Sequence, residues 1–124
     1  LPSCTCVRAG HRCHMLSLKA DDFSGTRLLD SRNILAVFYA SWCPFCRSFL
    51  GIFQSTMMRK TDPQGALVDI SDENNPLWET FKVDIVPTLV GFRGGVAIAR
   101  KDGIAGAGLS MSDLQDALRE LEKR

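Results

Sequence analysis

Cys43 and Cys46 stand three residues apart in the stretch Trp42-Cys43-Pro44-Phe45-Cys46. At that spacing on a helix two sulfurs lie on one face. The short span a disulfide requires can then be met. The pair is suited to exchanging electrons as dithiol and disulfide. The same spacing also serves a static disulfide or half of a zinc site, but no second Cys-x-x-Cys and no nearby histidine supplies the remaining zinc ligands.

The elements that must position this pair read as follows. Ile34 to Ala40 is an apolar run with both faces hydrophobic, which predicts a buried strand ending just before the dithiol. Cys46, Phe49, Leu50, Phe53 and Met57 then recur at helical spacing, and Pro44 suits a first turn, where its missing N–H is not needed. Met15–Leu18 reads as strand and Ala20 to Leu29 as a weak helix. Residues 61–65 form a turn, Ala66 to Ile70 a second buried strand and Asn74 to Phe81 a short helix with Pro76 in its first turn. Thr88 to Phe92 and Val96 to Arg100 are strands joined by a tight Arg93-Gly94-Gly95 hairpin. Gly103 to Gly108 is a glycine-rich connection. Ser112 and Gln115 suggest a capping box, opening a last helix with Leu114, Leu118 and Leu121 on one stripe. The expected order is β-α-β-α-β-α-β-β-α, a single α/β domain.

Composition sets the bounds. The chain has 124 residues, room for one core and too few for two domains. A net charge of +1 gives no reason to expect nucleic acid or an anionic membrane as partner. No apolar run is long enough to span a bilayer. Of five cysteines, three (Cys4, Cys6 and Cys13) fall in the first 13 residues and none follows Cys46. That is not a disulfide framework, and it favours a reducing, cytoplasmic setting. Residues 1–14 show no period and read as an irregular extension or a cloning remnant, with Met15 as the natural start and residues 15–124 as the domain. Cys4, Cys6 and Cys13, with His11 and His14, include zinc-ligand types, but Cys-x-Cys is poor spacing for zinc. A regulatory disulfide or a substrate-like tail are the other readings of this segment.

Residues 15–124 resemble thioredoxins. The features that carry the likeness are the strand ending in Tyr39-Ala40-Ser41-Trp42, the Cys43/Cys46 pair, Ile85-Val86-Pro87-Thr88 opening a strand, the glycine hairpin and the closing amphipathic helix. The resemblance implies a thioredoxin fold, a central mixed β-sheet flanked by helices, with Pro87 as the family's cis-proline. It implies a protein-disulfide oxidoreductase, with Cys43 as attacking and Cys46 as resolving thiol. Cys43 precedes the helix, where unpaired N–H groups and the macrodipole favour a thiolate. Trp42, Pro44, Phe45, Val86 and Pro87 would contact substrate, Trp42 offering a flat apolar face and Val86 its backbone. Ordinary packing for Trp42 and an ordinary turn at Pro87 are the plainer readings. Gly106 and Gly108 would either admit a partner backbone or simply keep their loop flexible. Expected partners are disulfide-containing proteins and an electron-donating reductase or thiol; neither cofactor nor metal is called for.

Three departures from the family pattern stand out. The buried acid usual beneath the dithiol is Val37 here, leaving Cys46 to water or another carboxylate. Asp69, on the neighbouring strand, is a candidate substitute, though it reads better as an exposed strand end. Pro44-Phe45 between the cysteines resembles glutaredoxins and changes the tuning of the reduction potential. Gly51 replaces the helix-bending proline. An oxidase or isomerase, and a non-catalytic binding module, are the alternative functions.

Overall fold

The computed structural model describes residues 15–122 together with the backbone of residues 3 and 4. Six strands form one sheet in the order β1-β2-β6-β5-β7-β8. They are β1 (Ser3–Cys4), β2 (Met15–Leu18), β5 (Ile34–Tyr39), β6 (Gln64–Asp69), β7 (Thr88–Arg93) and β8 (Val96–Asp102), and a separate hairpin pairs β3 (Phe23–Ser24) with β4 (Arg27–Leu28). β2, β6 and β5 run parallel, while β7 and β8 add antiparallel, so the sheet is mixed as expected.

β5 lies inside the sheet, and its residues from Ile34 to Phe38 have no exposed surface. Its alternating side chains feed two cores. Leu35 and Val37 pack with Phe49, Phe53 and Met57 of α1 (Pro44–Met57) and Leu114, Leu118 and Leu121 of α3 (Met111–Glu122). Ile34, Ala36 and Phe38 pack on the opposite face with Leu77 of α2 (Leu77–Thr80), Phe81 and Leu28. This period-two division explains why the strand reads as continuously apolar.

Residues 20–29 do not form the expected helix. Ala20–Asp22 make one 3-10 turn, and the β3–β4 hairpin follows. Gly25, at a φ of +59°, supplies the left-handed turn residue. Phe23 stands opposite Leu28 across the hairpin, and its ring packs against Phe81 at 5.3 Å, edge to face. Burial of Phe23 and Leu28 against the sheet outweighs the weak helical preference of this segment. The opening of the domain is therefore strand, turn and hairpin rather than strand and helix.

Two helix starts also differ. α3 opens two residues earlier than the Ser112–Gln115 pattern requires: the Ser110 hydroxyl accepts from the Asp113 N–H at 3.3 Å, and the Asp113 carboxylate accepts from the Ser110 N–H at 2.9 Å. An aspartate thus does the reciprocal work of the expected glutamine. α2 is shorter than 74–81, because Asp72 and Asn75 hold the preceding residues in turns by accepting from the N–H groups of Asn74 and Leu77.

Ser3 and Cys4 pair antiparallel with Ser17 and Leu16, so part of the segment read as irregular adds to the sheet edge. Cys6, Cys13, His11 and His14 lie outside the described residues, and with them the zinc and regulatory-disulfide readings. Among the described residues no helix is long and apolar enough to cross a membrane.

Candidate functional site

β5 delivers the chain to the dithiol. After Tyr39 it leaves the sheet, and Cys43 becomes the N-cap of α1 in extended backbone, with Pro44 in the first helical position. The Cys43 carbonyl accepts the first helical bonds, from Cys46 N–H at 3.1 Å and Arg47 N–H at 3.2 Å. Its side chain makes no capping bond to its own helix. Instead the thiol donates to the Val86 carbonyl at 3.6 Å, across 43 positions of sequence. Cys43 and Cys46 are both free thiols, Cys43 8% exposed and Cys46 fully enclosed.

Cys46 is the strongly perturbed member of the pair. Burial pushes its pKa up to about 12, and the neighbouring Cys43 sulfur adds to the rise; the Ala40 N–H, donating to its sulfur at 3.4 Å, works against it. A charged sulfur there would lose its hydration with one weak donor in exchange. At neutral pH Cys46 is therefore held as the thiol.

The Val86–Pro87 peptide is cis, and the Val86 carbonyl comes directly against the Cys43 thiol. Gly103 closes over the far side of Pro87: a Cβ on Gly103 would lie 2.5 Å from the Pro87 carbonyl oxygen. Gly108, at a φ of +72°, sits against Phe45, whose Cβ would be 2.9 Å from an added Cβ. The close approach at Gly108 is thus to the protein's own Phe45. Gly106 faces open space. The rim carries exposed apolar side chains, with Trp42 at 54%, Phe45 at 40% and Ile104 at 63%. Pro44 is exposed as well.

Trp42 is not loose despite its exposure. Its indole N–H donates to the Ser71 carbonyl at 2.9 Å, and its ring lies parallel to that of Trp78, with centroids 6.4 Å apart and 8° between planes. The Trp78 N–H donates to the Ile70 and Asp72 carbonyls at 2.9 and 3.2 Å. Ser71 and Trp78 are site residues that sequence reasoning missed. The signal available was a second tryptophan two residues beyond Pro76, in a segment too short to need it as helical core.

Val37 is fully buried among apolar side chains, in the core with Leu35, Phe49 and Phe53 and not in the one that holds Cys43 and Cys46. Asp69 is exposed at the end of β6, as expected, and its carboxylate accepts from the N–H and hydroxyl of Ser71. Tyr39, its register partner on β5, has its pKa raised by burial, then by the charges of Asp69 and Cys46. A cleft of about 650 Å3 beside the site is lined by Tyr39, Asp69, Ser71, Lys19 and Asn75. It meets the dithiol region through Ser71, and the cysteines do not line it. α1 runs unbroken through Gly51. Among the described residues no group of three or more His, Cys, Asp or Glu side chains is arranged to hold a metal.

The arrangement can do dithiol chemistry: one sulfur bonded to the Val86 carbonyl, a second sulfur fully enclosed one helical turn on, and an exposed apolar rim. Comparison with known proteins agrees. The Thioredoxin family model matches residues 14–120. A thioredoxin of Mycolicibacterium smegmatis is 30% identical over 100 residues, covering 79% of this chain and 89% of that protein. A protein disulfide-isomerase of Triticum aestivum is 37% identical over 86 residues, 65% of this chain but 16% of that much longer protein. Among solved structures, the short form of thioredoxin f from spinach chloroplast superposes with a TM-score of 0.71 at 14% identity, covering 88% of this chain and 94% of its own, a likeness of fold. With a family match spanning nearly all of the described domain, the chain belongs to the thioredoxin family of thiol–disulfide oxidoreductases.

Proposed function

We propose that the protein reduces disulfides in protein substrates through Cys43 and Cys46. The observation that carries this reading is the pairing of Cys43, at the helix start and against the Val86 carbonyl, with Cys46 enclosed beneath it. In the first step the Cys43 thiolate attacks one substrate sulfur. A Cys43–substrate disulfide forms, the substrate S–S bond breaks, and the released sulfur takes up a proton. In the second step Cys46, having given up its proton, attacks the Cys43 sulfur. The intramolecular disulfide forms and the second substrate sulfur leaves. Two electrons and two protons pass to the substrate. An electron-donating reductase or small thiol then restores the dithiol.

Trp42, Pro44, Phe45, Val86 and Pro87 form the substrate contact in this scheme. The Val86 backbone pairs with the extended substrate segment, and the rings of Trp42 and Phe45 cover its apolar side chains. Residues 15–124 act as the catalytic domain. Cysteine usage, with no framework around the dithiol, supports a reducing compartment such as the cytoplasm.

Turnover of insulin disulfides tests the assignment: the Cys43→Ser protein should reduce none, and retained activity in that variant would sink it. The match to protein disulfide-isomerase and the Pro44-Phe45 pair support a second reading, oxidation or isomerisation. Equilibration of the dithiol with glutathione separates the two. A potential near about −270 mV, that of thioredoxin itself, supports the reductase; one of about −180 to −120 mV supports the isomerase or oxidase.

A further inference from the structure

Trp42 is more than half exposed, yet its ring is fixed at two points: the 2.9 Å bond from its N–H to the Ser71 carbonyl and the parallel stack on Trp78. Trp78 is itself anchored. Its N–H is shared between the Ile70 and Asp72 carbonyls, and its half-buried ring packs on the core that contains Phe38 and Phe81. Three successive carbonyls of the segment after β6 thus hold two indoles, those of Ile70 and Asp72 taking Trp78 and that of Ser71 taking Trp42. The ring separation of 6.4 Å falls in the range of favourable offset stacking.

The arrangement has a consequence for recognition. One face of Trp42 is occupied by Trp78, and the exposed remainder lies immediately before Cys43. A ring fixed in advance need not be ordered when a substrate covers it, so less conformational entropy is lost on binding. A protein disulfide brings flanking residues that can lie on this face. A small disulfide reaches Cys43 without covering it.

We propose that Trp78 is a positioning residue for substrate choice: by stacking on Trp42 it presents a preset apolar face beside Cys43, favouring disulfides in polypeptides over small-molecule disulfides. The inference rests on the disulfide-reductase reading and deepens it. Trp78 touches neither the sulfurs nor the substrate; it acts through Trp42.

The test uses the full chain, with insulin and hydroxyethyl disulfide as substrates. The readout is the ratio of their kcat/KM values. Trp78→Leu keeps apolar packing on the core but removes the aromatic face, and should lower the ratio roughly two- to tenfold, the span of an aromatic pair interaction. Trp78→Phe should recover most of it. In a Trp42→Ala background, Trp78→Leu should change the ratio no further. The exciton couplet of two stacked indoles in circular dichroism should be present in the wild type and lost in Trp78→Phe. A ratio insensitive to Trp78, the same loss with and without Trp42, or a wild type lacking the couplet overturns the proposal. Failure of the underlying reading looks different: the wild type turns over neither substrate, and the inference falls with it.

Discussion

At the scale of single residues, the chemistry depends on how differently two identical side chains are housed. Cys43 lies at a helix start against a carbonyl, whereas Cys46 is enclosed and its pKa is pushed up to about 12 by burial and by the sulfur beside it. The pair and its neighbour Trp42 were legible in the sequence, because the spacing of Cys-x-x-Cys after an apolar strand is itself the signal. Ser71 and Trp78 were not, since the bond to Ser71 uses a backbone carbonyl that any residue would offer. Gly108 was read as open to a partner or merely flexible, and its close neighbour is Phe45 instead. Gly108→Ala should therefore destabilise the protein by about 1–2 kcal/mol from the left-handed backbone alone, with a further cost from crowding Phe45. A lowered urea midpoint with an unchanged slope would show it; wild-type stability would refute the tight approach.

At the scale of elements, the strands and helices that carry the dithiol followed from pattern, and the misreadings have physical causes. β5 and α1 announce themselves through a doubly apolar run and a 3.6-residue period. The segment from Ala20 to Leu29 has no comparable signal, and its two inward residues, Phe23 and Leu28, are brought together only by a hairpin turning at Gly25. Ser110 and Asp113 were passed over because aspartate is a less familiar partner in the reciprocal cap than glutamine or glutamate. Ser110→Ala should cost about 1 kcal/mol, while Ser112→Ala, inside the first turn, should stay within about 0.5 kcal/mol of wild type. Equal losses at both positions would contradict the observed cap. In α1, Gly51 has helical neighbours, and nothing lies within 4 Å of where its Cβ would sit. Gly51→Ala should stabilise the protein by about 0.5–1 kcal/mol, read as a higher thermal midpoint; a lower midpoint would mean the helix needs glycine there.

At the scale of the molecule, redox state, pH and stability are coupled through Cys46. The unfolded chain releases this proton near the ordinary value of 9.0, and the folded chain only near 12. Between those values the folded state binds more protons than the unfolded one, so stability falls as pH rises. Below about pH 8 the contribution is fully present. Reduced wild type should therefore lose stability on going from pH 8 to pH 10 more steeply than reduced Cys46→Ala, as followed by urea unfolding under reducing conditions; parallel pH profiles would place the titration elsewhere. Under the proposed mechanism the same thiol also sets the order of events. The buried neutral sulfur of Cys46 there waits until the substrate is bound to Cys43, when the adjacent sulfur that raised its pKa is no longer a thiol. The overall architecture was legible because each sheet strand near the site is buried on both faces, whereas the pairing of Ser3 and Cys4 with the sheet edge carries no sequence signal in so short a strand. The measurement that bears most directly on the central claim is mass spectrometry of the Cys46→Ser protein after exposure to a disulfide-bonded peptide. The account predicts a stable peptide adduct on Cys43, and no adduct on Cys46 in the Cys43→Ser protein. An adduct on Cys46, or none on either cysteine, would contradict it.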